Sequence, residues 1–158
     1  MPIRTAFLAL ALAASASTLA AGEIAPRDGW VVLPAQKPYA ELVEAVKAAT
    51  ARNGMGVVTE AGPTEAAAQR GVTIPGNRVI GVFNNDFAVR VLEVSTAAMI
   101  EAPIRFYVTE SADCTATLSY KTPSFVFAPY MDEGGAALAE LAAALDARFA
   151  AIADEASR

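Results

Sequence analysis

The chain has 158 residues, with 12 basic and 17 acidic side chains, a net charge of −5, no histidine and one cysteine. Without imidazole it cannot build a Ser-His-Asp or Cys-His centre, a histidine general base, or the usual imidazole-anchored zinc, copper and iron sites. An acidic chain with no basic run also lacks the clustered Lys and Arg that nucleic acid and anionic lipid reward.

Met1–Gly22 carries one charge, Arg4, then an apolar run from Ala6 to Ala14, then small residues through Ala20-Ala21-Gly22. That is the layout of a cleavable secretory signal. The run falls well short of the ~20 residues a membrane-spanning helix needs, and no cysteine near the cut offers a lipid attachment point. Cleavage is expected after Ala20 or Gly22. It would deliver residues 23–158 to the periplasm as one domain, with no stable membrane insertion. A chain of this length buries about two-thirds of its unfolded surface and stands without disulfides or metals.

Gly29-Trp30-Val31-Val32-Leu33 reads as a first strand closed by Pro34, and Pro38 then suits the first turn of a helix. Leu42, Val43, Val46 and Ala49 recur at helical spacing between Tyr39 and Ala51, with Glu41, Glu44 and Lys47 on the wet side. Asn53-Gly54 ends that helix, and Met55 to Thr59 forms a second strand, broken by Gly62-Pro63. Thr64-Glu65 opens a short helix through Gln69 that Gly71 stops. Arg78 to Phe83 is a continuous apolar run, the pattern of a strand covered on both faces. Arg78, at its mouth, could clamp an anion, although pairing with a neighbouring acid is the simpler expectation.

Asn84-Asn85-Asp86 supplies the cap of a helix expected from Asp86 to about Met99. Pro103 marks the boundary before the strand Ile104–Val108. Glu110–Asp113 reads as a hairpin turn, and Cys114 to Tyr120 as a returning, alternating strand. In that alternation Cys114 shares a face with Ala116, Leu118 and Tyr120, so it is expected to be a buried apolar filler rather than a reactive thiol, a ligand or half of an intermolecular disulfide. Asp132 to Ala153 is a helix with Leu138, Leu141, Leu145, Phe149 and Ile152 in one stripe. Asp132 is its expected N-cap, and its carboxylates read as a solvated face. Strands separated by helices and followed by a hairpin imply a sheet with helices packed on it. Pattern alone leaves the sense of the first three strands open.

Ser124–Met131 joins the hairpin to the last helix, yet it is apolar and aromatic where loops are normally polar. It either plugs one end of the core or forms an aromatic wall for an apolar ligand or partner. The candidate ligand-binding residues are therefore Tyr120, Phe125, Phe127, Tyr130 and Met131, with Lys121 and Thr122 at the mouth to supply polar contacts. No catalytic residue, cofactor or metal is assigned. A metal would have to use carboxylates, or Cys114 with Met55, Met99 and Met131; an enzyme would have to rely on Tyr120 and a nearby Asp or Glu.

The landmarks Gly71…Pro75…Arg78-Val79-Ile80-Gly81-Val82-Phe83-Asn84-Asn85, Ala102-Pro103-Ile104-Arg105-Phe106-Tyr107-Val108, Leu118-Ser119-Tyr120 and Pro123 follow one another in an order that resembles the domain of unknown function 302 family. Where that family often carries Asn-Pro, this chain has Asn84-Asn85. The resemblance implies an α+β two-layer sandwich: a largely antiparallel sheet of about five strands with helices packed on one face. It also implies that homodimers can form, and it transfers no catalytic residue. The reading that results is an exported, non-enzymatic module for a small apolar or amphipathic ligand or an envelope protein, with a homodimeric envelope scaffold as the alternative.

Overall fold

A computed structural model describes residues 24–158; the expected export segment, residues 1–22, lies outside them. The elements in chain order are β1 (Trp30–Ala35), α1 (Tyr39–Arg52), β2 (Gly56–Ala61), α2 (Thr64–Gln69), β3 (Asn77–Phe83), α3 (Asn85–Val94), a 3₁₀ turn (Ala97–Glu101), β4 (Ile104–Glu110), β5 (Ala116–Lys121), α4 (Pro123–Phe127), a second 3₁₀ turn (Ala128–Tyr130) and α5 (Met131–Ser157). The five strands form one sheet in the order β1-β5-β4-β3-β2. Every neighbouring pair is antiparallel, which settles the strand sense that pattern left open.

Because side chains alternate along a strand, register sorts them onto two faces. Ile80, Phe106, Tyr120 and Val31 stand in one cross-strand row, and Val108, Leu118 and Leu33 in the next. This face meets Leu42, Val46 and Ala49 of α1 and Leu138, Leu145, Phe149 and Ile152 of α5, all buried in one core. At its centre Phe149 stacks on Phe106 with ring centroids 4.7 Å apart, and Tyr120 meets Phe106 edge-on at 5.1 Å. Each such side chain contributes about 1.5–3 kcal/mol by leaving water. The two-layer sandwich is thus as the resemblance implies, and the single apolar stripe of the last helix as its helical spacing implies.

Among the described residues the opposite face carries no helix, so β3 is covered less than its continuous apolar run predicts: Val79 and Phe83 are half-buried while Ile80 and Val82 are in the core. The two edge strands are blunted. In β2 the register shifts between Val57 and Thr59, and Glu60 reaches the α1 side to pair with Lys47 at 3.1 Å. In β1 an exposed Pro34 withholds one backbone donor.

Local chemistry moves several other boundaries. Helix α3 stops at Val94, five residues before the expected end. Ser95 turns extended at φ −157° and its hydroxyl accepts from Ala98 N–H, opening the 3₁₀ turn. Asn84 is the expected cap, accepting from Phe87 N–H at 3.1 Å. Cys114 is not in a strand and not buried. It is exposed, at φ +66°, because the Asp113 carboxylate accepts from both the backbone N–H and the hydroxyl of Thr115 and so prolongs the turn. Those bonds, the hydroxyl's foremost, also hold the Asp113 carboxyl below its ordinary pKa.

Helix α5 starts at Met131 without a side-chain cap from Asp132, and is interrupted at Gly135, φ +53°, ψ −145°. Its carboxylates are not merely solvated. Glu133 accepts from the Ser95 hydroxyl at 2.8 Å, Asp146 accepts from Ser124 N–H at 2.9 Å, and Glu155 pairs with Arg52 and Asn53. Arg78 takes the acid-paired role, between Glu60 and Glu65.

Candidate functional site

The segment from Pro123 to Met131 is helical rather than a loop. Thr122 caps α4 by accepting from Phe125 N–H, Pro123 occupies the first turn, and Asp146 of α5 accepts from Ser124. A helical turn points its side chains in different directions, and the five sequence-selected residues separate accordingly. Phe127 faces inward and is buried. Phe125 is 44% exposed, its ring lying over Gly29. The Tyr130 hydroxyl donates to Glu101 at 2.8 Å, a bond that, ahead of burial, raises the phenol's pKa. Met131 is half-buried against the core. Tyr120 belongs to the central aromatic cluster, and burial first, then the Asp146 charge, keeps its phenol protonated to higher pH. A phenol shifted in that direction is a poor base.

Two hollows differ by size. One, of about 40 Å³, lies among Phe87, Val91, Met99, Phe127 and Phe149. That is room on the scale of one water molecule in an apolar setting, and such voids usually stay dry. The other, of about 460 Å³, opens on the bare sheet face and is walled by Trp30, Asn77, Val79, Arg105, Tyr107 and Lys121. Sites for small organic ligands run from roughly 300 to 1,000 Å³. Only the second hollow has that capacity. Glu101, Ile104, Tyr120 and Val126 complete its lining; of the five selected residues, this cavity therefore takes Tyr120 alone.

The register of four strands assembles the wall. Trp30 pairs with Lys121, and Arg105 stands beside Lys121, since each is one residue beyond the Phe106–Tyr120 pair. The next row on the same face is Val32, Ser119, Tyr107 and Val79. Tyr107 is fixed from two sides: Asn77 Nδ2 donates to its hydroxyl and Ser119 Oγ to its backbone carbonyl. Two cations approach the Trp30 ring, Arg27 at 5.0 Å and Lys121 at 5.8 Å from the indole centroid. Among the described residues neither Arg105 nor Lys121 has an ion-pair partner; the acid partners go to Lys47, Arg52, Arg78 and Arg158. Glu101, the acid in the lining, accepts from the Tyr130 hydroxyl.

Sequence reasoning named Tyr120 and Lys121 but missed Trp30, Arg105 and Tyr107. Each sits singly on a different strand, and only pairing register unites them. Among the described residues no group of three or more Cys, Asp or Glu is placed to hold a metal ion, and no helix is long and apolar enough to cross a membrane.

Among the described residues, five antiparallel strands, helices on one side, and a ligand-sized hollow on the other define a two-layer α+β domain with an open sheet face. The chain belongs to the domain of unknown function DUF302 family, whose signature matches residues 31–156. A crystal structure described as an uncharacterized conserved DUF302 protein from Bacillus stearothermophilus is similar in fold, with a TM-score of 0.72 at 22% identity over 84% of this chain and 100% of that one. Comparison with curated proteins gives no match.

Proposed function

We propose that this member of the family is an exported, non-enzymatic module that holds a small apolar or amphipathic ligand in the open-face cavity, working in the periplasm. The observation that carries the reading is a hollow of about 460 Å³ combining flat apolar walls (Trp30, Val79, Tyr107) with a few polar groups, the composition of small-molecule sites. The missing imidazole and the raised Tyr120 phenol favour holding over transforming. The layout of Met1–Gly22 supports export. Homodimers belong to the same proposal as a property of the assembled module rather than of the cavity.

Trp30 is the chain's only tryptophan, so its indole N–H gives a single, local nuclear magnetic resonance signal at the site. Titration with two naphthylamine probes, neutral N-phenyl-1-naphthylamine and anionic 8-anilinonaphthalene-1-sulfonate, should shift that signal saturably with at least one of them. If neither moves it, the cavity is not a ligand site. N-terminal sequencing of protein recovered from the periplasm should begin at Ala21 or Glu23; an intact Met1 there would overturn the export reading.

A further inference from the structure

We infer that the open-face cavity selects a small organic anion with a flat apolar body, such as an aromatic carboxylate or sulfonate. This rests on the reading that the cavity binds a ligand at all, and it adds the charge that the ligand carries. Two cations, Arg105 and Lys121, stand side by side on neighbouring strands of this face. Like charges so placed repel and destabilise a sheet. Ion pairs among the described residues go to Lys47, Arg52, Arg78 and Arg158, so what marks Arg105 and Lys121 is their shared place in the cavity wall. Neither has an ion-pair partner among the described residues; Glu101, the acid lining the same cavity, accepts from the Tyr130 hydroxyl, and Arg27 adds a third cation 5.0 Å from the Trp30 ring centroid.

The geometry separates two functions within the hollow. Val79 and Tyr107 form an apolar floor, with Tyr107 held by Asn77 and Ser119. Trp30 offers a ring face at the edge, next to the two cations. A planar body laid on that floor brings a terminal anionic group to Arg105 and Lys121. Arg presents two parallel donors to a carboxylate or sulfonate, and Lys adds a point charge. A bound anion would offset the like charge of these two neighbouring side chains.

The test compares the two naphthylamine probes, which differ by one sulfonate, with the Trp30 indole signal as readout. The anionic probe should bind at least ten-fold more tightly than the neutral one at low salt, and added salt should narrow that gap. In the Arg105→Gln/Lys121→Gln variant, whose altered side chains are exposed, the anionic probe should lose ten-fold or more while the neutral probe is unchanged. Equal binding of both probes, untouched by the double substitution, would overturn the anion inference and leave the ligand reading standing. Failure of both probes to shift Trp30 in the unaltered protein would overturn both.

Discussion

Phe149 is the side chain through which the long C-terminal helix grips the sheet, and Phe149→Ala is the sharpest test of the fold's organisation. Phe149 is fully buried, stacks on Phe106 with planes 21° apart, and lies 5.6 Å from the Tyr120 ring. Truncating a buried Phe to Ala costs about 3–5 kcal/mol, because the transfer energy is lost and a cavity remains. Each aromatic pair adds about 0.5–1.5 kcal/mol beyond burial, which places this site in the upper half of that range. The small hollow already beside Phe149 lets its surroundings relax partly, and pulls the expectation back to about 4 kcal/mol. A domain of this size has only about 5–15 kcal/mol in hand, so the melting temperature should fall by about 8–16 °C. Urea unfolding followed by Trp30 fluorescence measures the change. Phe149→Leu, which keeps most of the volume, should lose about 1–2 kcal/mol. A loss below about 1 kcal/mol for the alanine variant would refute the claim that this helix is anchored through the aromatic cluster.

Gly29 sits at φ +73° with the Phe125 ring where a Cβ would be; Gly29→Ala should cost more than about 1 kcal/mol, and Phe125→Ala should recover part of that loss in a double-mutant cycle. Additive effects would show that the ring contact is not the obstacle. The exposed Cys114 thiol should react fully with a disulfide reagent in the folded protein, and Cys114→Gly, which relieves the left-handed backbone, should gain about 0.5–1 kcal/mol in urea unfolding. A thiol protected until unfolding would contradict its placement. Glu155 titrates below the ordinary carboxyl range, chiefly through Arg52 and further through Asn53. Stability from a lowered carboxyl pKa is complete above the unfolded value of about 4.3 and drains away as pH falls through the folded value. Urea midpoints taken at about pH 6 and pH 3.5 should therefore drop more for the unaltered chain than for Glu155→Gln; equal drops would show that the pairing contributes nothing.

Signals carried within one element were readable from sequence. Thr64–Gln69 forms the helix its flanking breakers define, Tyr39 to Ala51 extends by one residue, and the Leu138–Ile152 stripe is core-facing. Signals that depend on a side chain satisfying a backbone elsewhere were harder to read. Ser95 ends α3 by serving the turn that follows it, and Asp113 keeps Cys114 out of β5. The Thr122-Pro123 pair did announce the start of a helix in a segment read as a loop. The cavity was hidden for a different reason. Arg105 and Lys121 occupy ordinary wet positions of alternating strands, and nothing in either segment tells which residue the other strand sets beside it.

The blunted margins of the sheet restrict how copies of this domain can meet. A bulged β2 and the proline in β1 are poor templates for extending the ladder from molecule to molecule. Copies that avoided the edges would have to meet through a face, and the uncovered side of the sheet is one such surface. Two subunits joined there would seal the mouth of the hollow, so occupancy and pairing through that surface become rival states of one equilibrium.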